Sequence, residues 1–292
     1  MTANTPQIAL VTGASRGVGK GIAIALGAAG MTVYLSGRSA TESASHLRGQ
    51  LLPGSLAETA EAVNRAGGQG IAMPCDHRDD AQVRALFARI EREQGRLDLL
   101  VNNAALLHEN LIDPGPFWEK PLELVDILDV GLRSAYVASY HAAPLLLKNG
   151  RGLIAFVSSY GAGCYMHGPA YGAQKAGVDK FAADMAVDFE GTGVAAVSLW
   201  LGPQCTERTA IAGAARADQY EAFLAQAETP EFNGRVIHAL LQDPQLQTLS
   251  GQTLVTAELA RGYGISEAEG RQPPSYREML GEPRTQHPAR VI

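Results

Sequence analysis

Short apolar runs alternate along this chain with longer segments in which apolar residues recur every three or four positions. The short runs predict buried strands, and the longer segments predict helices with one apolar face. The predicted strands span residues 7–12, 31–36, 70–75, 97–102, 152–158, 194–201 and 252–256. The predicted helices span residues 21–29, 56–65, 79–94, 122–147 and 171–189, and Ser55 with Glu58 is expected to cap the second of them.

A strand followed by a helix, repeated throughout, is typical of a parallel sheet covered by helices on both faces. We therefore expect a three-layer Rossmann fold, a doubly wound α/β sheet of about seven strands. No linker divides the chain, so residues 1–292 are expected to form one domain with a core over about 5–260. Two segments exceed the alternation: residues 39–54, and a tail over 261–292 that is expected to be irregular.

Composition narrows the range of partners. Of the 292 residues, 24 are Lys or Arg and 30 are Asp or Glu, so a net charge of −6 gives no long-range attraction for nucleic acid. Cys75, Cys164 and Cys205 are not closely spaced and the seven His are scattered, which indicates neither a disulfide framework nor a metal site. Because no signal peptide and no membrane-length apolar run is visible, we expect a cytoplasmic protein.

A glycine-rich turn, TGASRGVG at residues 12–19, follows the first predicted strand. Glycines spaced this way permit a tight turn and let the backbone approach a pyrophosphate. The helix that begins there offers free N–H groups and the positive end of its dipole. Because this turn opens the first strand-helix unit, it predicts a dinucleotide site, with candidate contacts at Gly13, Ser15, Arg16, Gly17, Val18 and Gly19.

The end of the second predicted strand indicates which dinucleotide binds. An NAD site needs a carboxylate there to accept a hydrogen bond from the ribose 2′-hydroxyl. This strand instead ends Ser36-Gly37-Arg38, and Arg38 together with Arg16 could clamp a 2′-phosphate. The sequence therefore predicts NADP(H). Residues 39–54, which begin beside Arg38, either cover the 2′-phosphate end or form an ordinary surface loop.

Tyr171 and Lys175 carry the candidate chemistry. Their spacing of four residues places a phenol and an ammonium on one face of a predicted helix. A phenol near pKa 10 is a poor acid or base at neutral pH, and a nearby ammonium lowers that pKa. Ser159, with Ser158 as the alternative, ends the fifth predicted strand, where a hydroxyl could polarise a carbonyl. These residues predict acid–base chemistry at a carbonyl or an alcohol.

Jointly, these motifs resemble those of the short-chain dehydrogenase/reductase family over about residues 5–260. The run Asn102-Asn103-Ala104-Ala105 adds to the likeness, and segments 118–121, 129–133 and 261–264 resemble one subgroup of the family. The resemblance implies that Tyr171 is the general acid in reduction, that Lys175 holds the nicotinamide ribose, and that Ser159 orients the carbonyl. It also implies contacts of Asp76 with the adenine, of Asn103 and Ala104 with the adenosine ribose, and of Thr206 with the carboxamide, while Asp98 pins the turn region.

The same resemblance implies an NADPH-dependent reductase of ketones or aldehydes, or the reverse alcohol oxidation, on an apolar small molecule under a lid at residues 207–232. It also implies a homodimer or homotetramer joined through the two long predicted helices. One departure keeps a rival without turnover open, because Gly131 stands where many family members carry an Asn that holds a water of the proton relay. The rivals are an NADP(H)-sensing regulator without turnover and an enoyl or dienoyl reductase.

Overall fold

Strands and helices alternate in the computed structural model, which describes residues 6–43, 45–215 and 224–291. The strands are β1 (Ile8–Thr12), β2 (Thr32–Gly37), β3 (His46–Leu47), β4 (Gln50–Leu51), β5 (Gln69–Pro74), β6 (Leu99–Asn102), β7 (Gly152–Ser159), β8 (Val194–Leu201) and β9 (Thr253–Val255). Seven of them form one parallel sheet in the order β5-β2-β1-β6-β7-β8-β9, whereas β3 and β4 pair with each other. The predicted strands are all present, with ends shifted by no more than two residues.

Helices cover both faces of this sheet. They are α1 (Gly17–Ala28), α2 (Leu56–Arg65), α3 (Asp80–Gln94), α4 (Ser134–Asn149), α5 (Pro169–Asp188), α6 (Glu207–Ala215), α7 (Pro230–Gln242), α8 (Leu246–Leu249), α9 (Thr256–Gly262) and α10 (Arg277–Leu280). Apolar residues of α1, α2 and α7 pack on one face, and those of α3, α4 and α5 pack on the other. The predicted doubly wound Rossmann fold is therefore confirmed, with central strands buried on both sides as a parallel sheet requires.

The helix predicted over residues 122–147 is wrong as a continuous element. Leu122–Val125 forms a 3-10 turn, Leu128–Arg133 forms a π-type turn, and regular helix begins only at Ser134. At the break, Gly131 has a φ of +148°, a conformation that favours glycine. Apolar residues recur on both sides of the break, so periodicity alone could not reveal it.

Local signals set the other helix ends. The capping box predicted at α2 is confirmed: the Ser55 hydroxyl accepts from the Glu58 N–H, and the Glu58 carboxylate accepts from the Ser55 N–H. Helix α1 begins four residues earlier than predicted, at Gly17, and α5 begins at Pro169, where proline suits the first turn.

Asp98 accepts from Ile8 N and Asn149 Nδ2, both at 2.8 Å. Asp98 therefore fixes the amino end of β1. The expectation was that it would fix the glycine turn, which lies at the other end of this strand.

The two segments that fall outside the strand–helix alternation both contact the rest of the protein. Residues 39–54 contain the β3–β4 hairpin, and the backbone N–H of Arg48 donates to Glu109 Oε2 at 2.9 Å. The tail is largely irregular, as predicted, but Arg277 pairs with Glu258 at 2.7 Å, and the Tyr276 N–H donates to Tyr160 Oη at 3.0 Å. Within the three described ranges, no helix is both long enough and apolar enough to cross a bilayer.

Candidate active site

A cavity of about 630 Å³ opens at the carboxyl ends of the central strands. It lies beside β1, where the strand order reverses: β2 and β5 extend the sheet on one side of β1, and β6 to β9 extend it on the other. Open α/β sheets bind their ligands at this position. Every residue predicted for the site lines this cavity: Gly13, Ser15, Arg16, Gly17, Val18, Gly19, Arg38, Asp76, Asn103, Ala104, Ser159, Tyr171, Lys175 and Thr206. The fold therefore brings the glycine turn and the Tyr–Lys pair into one space.

Thr12 and Asn103 hold the glycine turn in place. The Thr12 hydroxyl accepts from the N–H groups of Asn103 at 2.9 Å and Ala104 at 3.0 Å. The Asn103 side-chain amide donates to Thr12 O at 2.8 Å and Gly13 O at 3.1 Å. The Asn103 side-chain N–H groups are thus engaged in fixing the turn.

The glycines of the turn are required by close packing. A Cβ at Gly19 would lie 2.4 Å from Gly13 O, and a Cβ at Gly13 would lie 2.8 Å from the Ala104 Cα. Gly17 N donates at 2.9 Å to the carboxylate of Glu207, which is the first residue of helix α6. An anionic oxygen therefore fits at the amino end of α1, which is what a pyrophosphate needs.

The two predicted phosphate clamps differ in their surroundings. Arg16 donates from Nε to Pro53 O at 3.1 Å, and from Nη2 to Ser39 Oγ, Ser43 Oγ and Gly54 O at 2.9–3.0 Å. Its guanidinium therefore anchors residues 39–54, a role that the prediction did not include, while Arg16 also lines the cavity. Arg38 lies exposed at the end of β2, where a phosphate on the ribose could reach it.

Asp76 and His77 follow β5 and line the cavity. The carboxylate of Asp76 accepts from Arg78 N at 3.0 Å. His77 is buried, its Nε2 lies 2.9 Å from Ser36 Oγ, and burial lowers its pKa to about 4. The imidazole is consequently neutral at physiological pH and ties the ends of β2 and β5 together.

Ser159 and Tyr171 meet on the cavity wall. Ser159 Oγ lies 3.0 Å from Tyr171 Oη. Because successive residues of a strand face opposite sides, Ser158 points the other way and donates to the backbone carbonyl of Lys175 at 3.3 Å. The geometry therefore places Ser159, and not Ser158, beside the phenol.

Burial dominates the ionisation of the Tyr–Lys pair. Lys175 Nζ donates to Val157 O at 3.1 Å and lies 5.5 Å from the centroid of the Tyr171 ring. Burial lowers the pKa of Lys175 to about 8, and Asp179 opposes that shift. Burial raises the pKa of Tyr171, while its hydrogen bond with Ser159 opposes the rise. In this structure burial outweighs any lowering of the Tyr171 pKa by the Lys175 ammonium.

With the geometry known, comparison with other proteins decides the family. The family model described as short chain dehydrogenase matches residues 7–219, more than half of the chain. The chain belongs to the short-chain dehydrogenase family. It is 39% identical over 281 residues to dehydrogenase/reductase SDR family member 1 of Homo sapiens, covering 92% of this chain and 86% of that protein. This agrees with the subgroup indicated by segments 118–121, 129–133 and 261–264.

More distant relatives share the fold and much of the length. A 3-oxoacyl-[acyl-carrier-protein] reductase of Synechocystis is 31% identical over 257 residues, which cover 87% of this chain and 96% of that protein. A crystal structure from Xanthomonas campestris, described as a candidate dehydrogenase, superposes with a TM-score of 0.75. It is 28% identical and covers 91% of this chain and 93% of its own.

In this short-chain dehydrogenase, the break at Gly131 before helix α4 contacts helix α5 through Gln174. The Gln174 amide donates to Gly131 O at 2.8 Å, and a Cβ at residue 131 would lie 3.2 Å from Gln174 Cγ. Gln174 is buried, and its Oε1 has no hydrogen-bond partner among the described residues. The amide of Gln174 therefore fills the space in front of Gly131, next to Lys175 in the chain.

The start of the predicted lid closes one side of the cavity. Arg208 donates to Leu107 O at 3.1 Å and to His108 O at 3.2 Å, which links α6 to the segment after β6. Thr206 Oγ1 lies 3.1 Å from Thr209 Oγ1 at the first turn of α6. Residues 216–223, which include the predicted lid aromatics Tyr220 and Phe223, lie outside the described residues.

Sequence reasoning missed three groups near the site. Asp179 is the next residue of the Tyr171–Lys175 face of α5, and this spacing of four was a usable signal. His77 directly follows Asp76, but nothing in the sequence indicated its burial. The contact of Glu207 with Gly17 joins residues 190 positions apart, which no local pattern reveals. Among the residues that the structure describes, no cluster of His, Cys, Asp and Glu could hold a metal ion.

Proposed function

We propose that this short-chain dehydrogenase is an NADP(H)-dependent oxidoreductase that reduces a ketone or aldehyde to an alcohol, or catalyses the reverse reaction. The observation that carries the proposal is the Ser159–Tyr171 pair, whose hydroxyl oxygens lie 3.0 Å apart in the cavity that also holds the glycine turn. A carbonyl oxygen placed against both hydroxyls would be polarised and would have a proton donor within reach.

The cofactor would lie along the glycine turn, with its pyrophosphate at the amino end of α1. When bound, NADPH supplies the hydride that the carbonyl carbon accepts. Arg38, at the end of β2, would meet the 2′-phosphate, and Arg16 would act by holding residues 39–54 beside it. The remaining contacts would come from Gly13, Ser15, Gly17, Val18, Gly19, Asp76, Asn103, Ala104 and Thr206, all of which line the cavity.

Tyr171 would donate its phenolic proton to the oxygen of the reduced carbonyl. Burial raises the pKa of this phenol, so the group begins the reaction protonated, as a general acid must. The Lys175 ammonium would hold the nicotinamide ribose and stabilise the phenolate left on Tyr171. In alcohol oxidation the same phenolate would take up the proton, while Ser159 would orient the substrate oxygen in both directions.

The substrate would be a small apolar molecule. Leu106, Leu107 and Leu201 line the cavity together with Val157, which leaves few charged groups near the catalytic end. A second candidate reaction is supported by one relative. A 1-cyclohexenylcarbonyl-CoA reductase of Streptomyces collinus is 32% identical over 66% of this chain, so reduction of a conjugated C=C bond is the alternative to test.

Assembly and location extend the proposal. Tyr136 and Tyr140 of α4 are 50% and 67% exposed, which suits burial against a second copy in a homodimer or homotetramer. The free thiols Cys75, Cys164 and Cys205 suit the reducing conditions of the cytoplasm.

The proposal is tested by measuring oxidation of NADPH and of NADH over a panel of ketones, aldehydes, quinones and enones. We expect turnover of a carbonyl with NADPH, loss of that turnover in Ser159→Ala, and retention of it in Tyr165→Phe, an exposed control. Turnover of enones alone would favour the second reaction. Tight NADPH binding without turnover on any compound would favour the sensor, and a preference for NADH would contradict the role given to Arg38.

A further inference from the structure

Asp179 is a buried carboxylate one helical turn beyond Lys175, at the back of the catalytic helix. It is 9% exposed. Its Oδ1 accepts from the Ser198 hydroxyl at 2.5 Å, and its Oδ2 accepts from the Trp200 indole N–H at 2.8 Å. Both donors belong to β8 and are themselves fully buried. The carboxylate is therefore fixed on the far side of Lys175 from Tyr171.

Burial of a carboxylate is costly unless a positive charge or several donors offset it. The Ser198, Ser158 and Trp200 donors are neutral. An amide has a single acceptor oxygen, so in its place the oxygen could accept from Trp200 while the NH₂ group donates to the Ser198 hydroxyl. Burial raises the pKa of Asp179, and its hydrogen bonds together with the positive charge of Lys175, which lies on the same helix face, oppose that rise. What a carboxylate supplies here, and an amide would not, is a negative charge opposite the buried ammonium.

We propose that Asp179 is a positioning residue for the reaction, a fixed negative charge that keeps the buried Lys175 side chain protonated beside Tyr171. The inference deepens the proposed function and rests on it for the role of Lys175. Asp179 does not line the cavity, so it acts through Lys175 and not on the substrate.

The charges around Lys175 support this assignment. From its own helix, Lys175 faces the phenol of Tyr171 and the carboxylate of Asp179. From β7, the Val157 carbonyl accepts its hydrogen bond, and Ser158 contacts its backbone. The packed strand β8 contributes the neutral Ser198 and Trp200. Burial lowers the pKa of Lys175 to about 8 even with Asp179 present, so loss of the negative charge would lower it further.

The test is the pH profile of kcat/KM for NADPH between pH 6 and 9.5 in wild type, Asp179→Asn and Asp184→Asn. Asp184 lies on the same helix but is exposed and pairs with Lys180, so it is the matched control. Since the ammonium is the active form, we expect activity to fall above about pH 8 in the wild type. In Asp179→Asn the falling limb should move down by about one pH unit, which is a loss of about fivefold at pH 8, approaching tenfold above pH 9, with near-normal activity at pH 6.

A second variant separates the proposed role from a structural one. In a Lys175→Met background, Asp179→Asn should cause no further loss, because the group through which it acts is absent. A uniform loss at all pH values, or a further loss in that background, would overturn the proposal and assign Asp179 to packing alone.

A third readout does not depend on turnover. The chain has five lysines, so [¹³Cε]lysine NMR can follow the titration of Lys175, with Lys175→Arg to assign its signal. We expect a lower midpoint in Asp179→Asn than in wild type and no change in Asp184→Asn. An unchanged midpoint would overturn the inference. A lowered midpoint in a protein that turns over no carbonyl would retain the charge pairing while contradicting the proposed function.

Discussion

The two ends of the cavity are built from different parts of the chain. The end proposed for the cofactor is formed largely by loops and a helix terminus: the glycine turn, the amino end of α1 and the loops after β2 and β5. Thr12 and Asn103 hold the turn in place. The end proposed for catalysis consists of side chains on β7 and α5, where a half-buried phenol is followed along the helix by a buried ammonium and a buried carboxylate. We infer that damage to the first end should appear in binding and stability, whereas damage to the second should appear in turnover.

The largest effect is expected from Tyr171→Phe. The change removes the proton donor but keeps the ring, so kcat should fall by about a thousandfold while the dissociation constant of NADPH changes little. Stopped-flow turnover and fluorescence titration of NADPH measure the two quantities. A matching loss of NADPH binding would break the division between the two ends.

A smaller effect, on stability, is expected at the cofactor end from His77. Because the pKa of His77 is lowered to about 4 in the folded protein, its imidazole binds a proton only near pH 4. In the unfolded chain the same imidazole binds a proton already below about pH 6.5. Stability from the neutral imidazole is thus complete above pH 6.5 and is lost as the pH falls to 4. Over that window wild type should lose about 3 kcal/mol more free energy of unfolding than His77→Asn.

Urea unfolding at a series of pH values measures this difference, and the exposed His287→Asn is the control. Parallel pH curves for wild type and His77→Asn would show that the imidazole is not held neutral.

Gly19→Ala should damage the turn itself. The added Cβ would lie 2.4 Å from Gly13 O and 2.5 Å from the Asn103 amide, so the turn must shift, at a cost of about 2 kcal/mol. We expect weaker NADPH binding, with kcat at saturating NADPH nearly retained. Gly262→Ala is the matched control, because a Cβ there meets nothing within 4 Å. Equal losses in both variants would contradict the packing argument.

The smallest effect is expected from Glu207→Gln. The Glu207 carboxylate accepts from Gly17 N, the position proposed for an anionic phosphate oxygen, so it competes with the cofactor. Removing its charge should tighten NADPH binding by about fivefold, the scale of one charge at a helix terminus. Isothermal titration calorimetry measures the change, with the exposed Glu61→Gln as control. Weaker binding in Glu207→Gln would assign the carboxylate a supporting role instead.

The same division explains how much the sequence could predict. The strands, the sheet class and the lining of the cavity follow from local patterns, such as the glycine spacing around Gly17 and the i, i+4 spacing of Tyr171 and Lys175. The break at Gly131 could not be predicted from local patterns, because apolar residues recur on both sides of it. The engagement of Arg16 by residues 39–54 and the contact of Glu207 with α1 also escaped prediction, since each joins distant parts of the chain.

Ionisation was the least predictable property. Spacing alone indicated that Lys175 would lower the pKa of Tyr171, but burial, which the sequence does not state, raises the phenol pKa and lowers the ammonium pKa. The charge of Asp179 opposes part of the lowering of the Lys175 pKa. The hydrogen-bond donors to Asp179 lie on β8, which only the folded structure brings next to α5.

The central claim is that hydride and proton reach one carbonyl group in this cavity, the proton from Tyr171. Its most direct test is incubation with [4,4-²H₂]NADPH, which delivers deuterium from either face, and a carbonyl that the panel identifies, followed by mass spectrometry of the product. The account predicts an alcohol with one deuterium on the former carbonyl carbon, formed by wild type and lost in Tyr171→Phe. An alcohol without deuterium, or equal product from Tyr171→Phe, would contradict it.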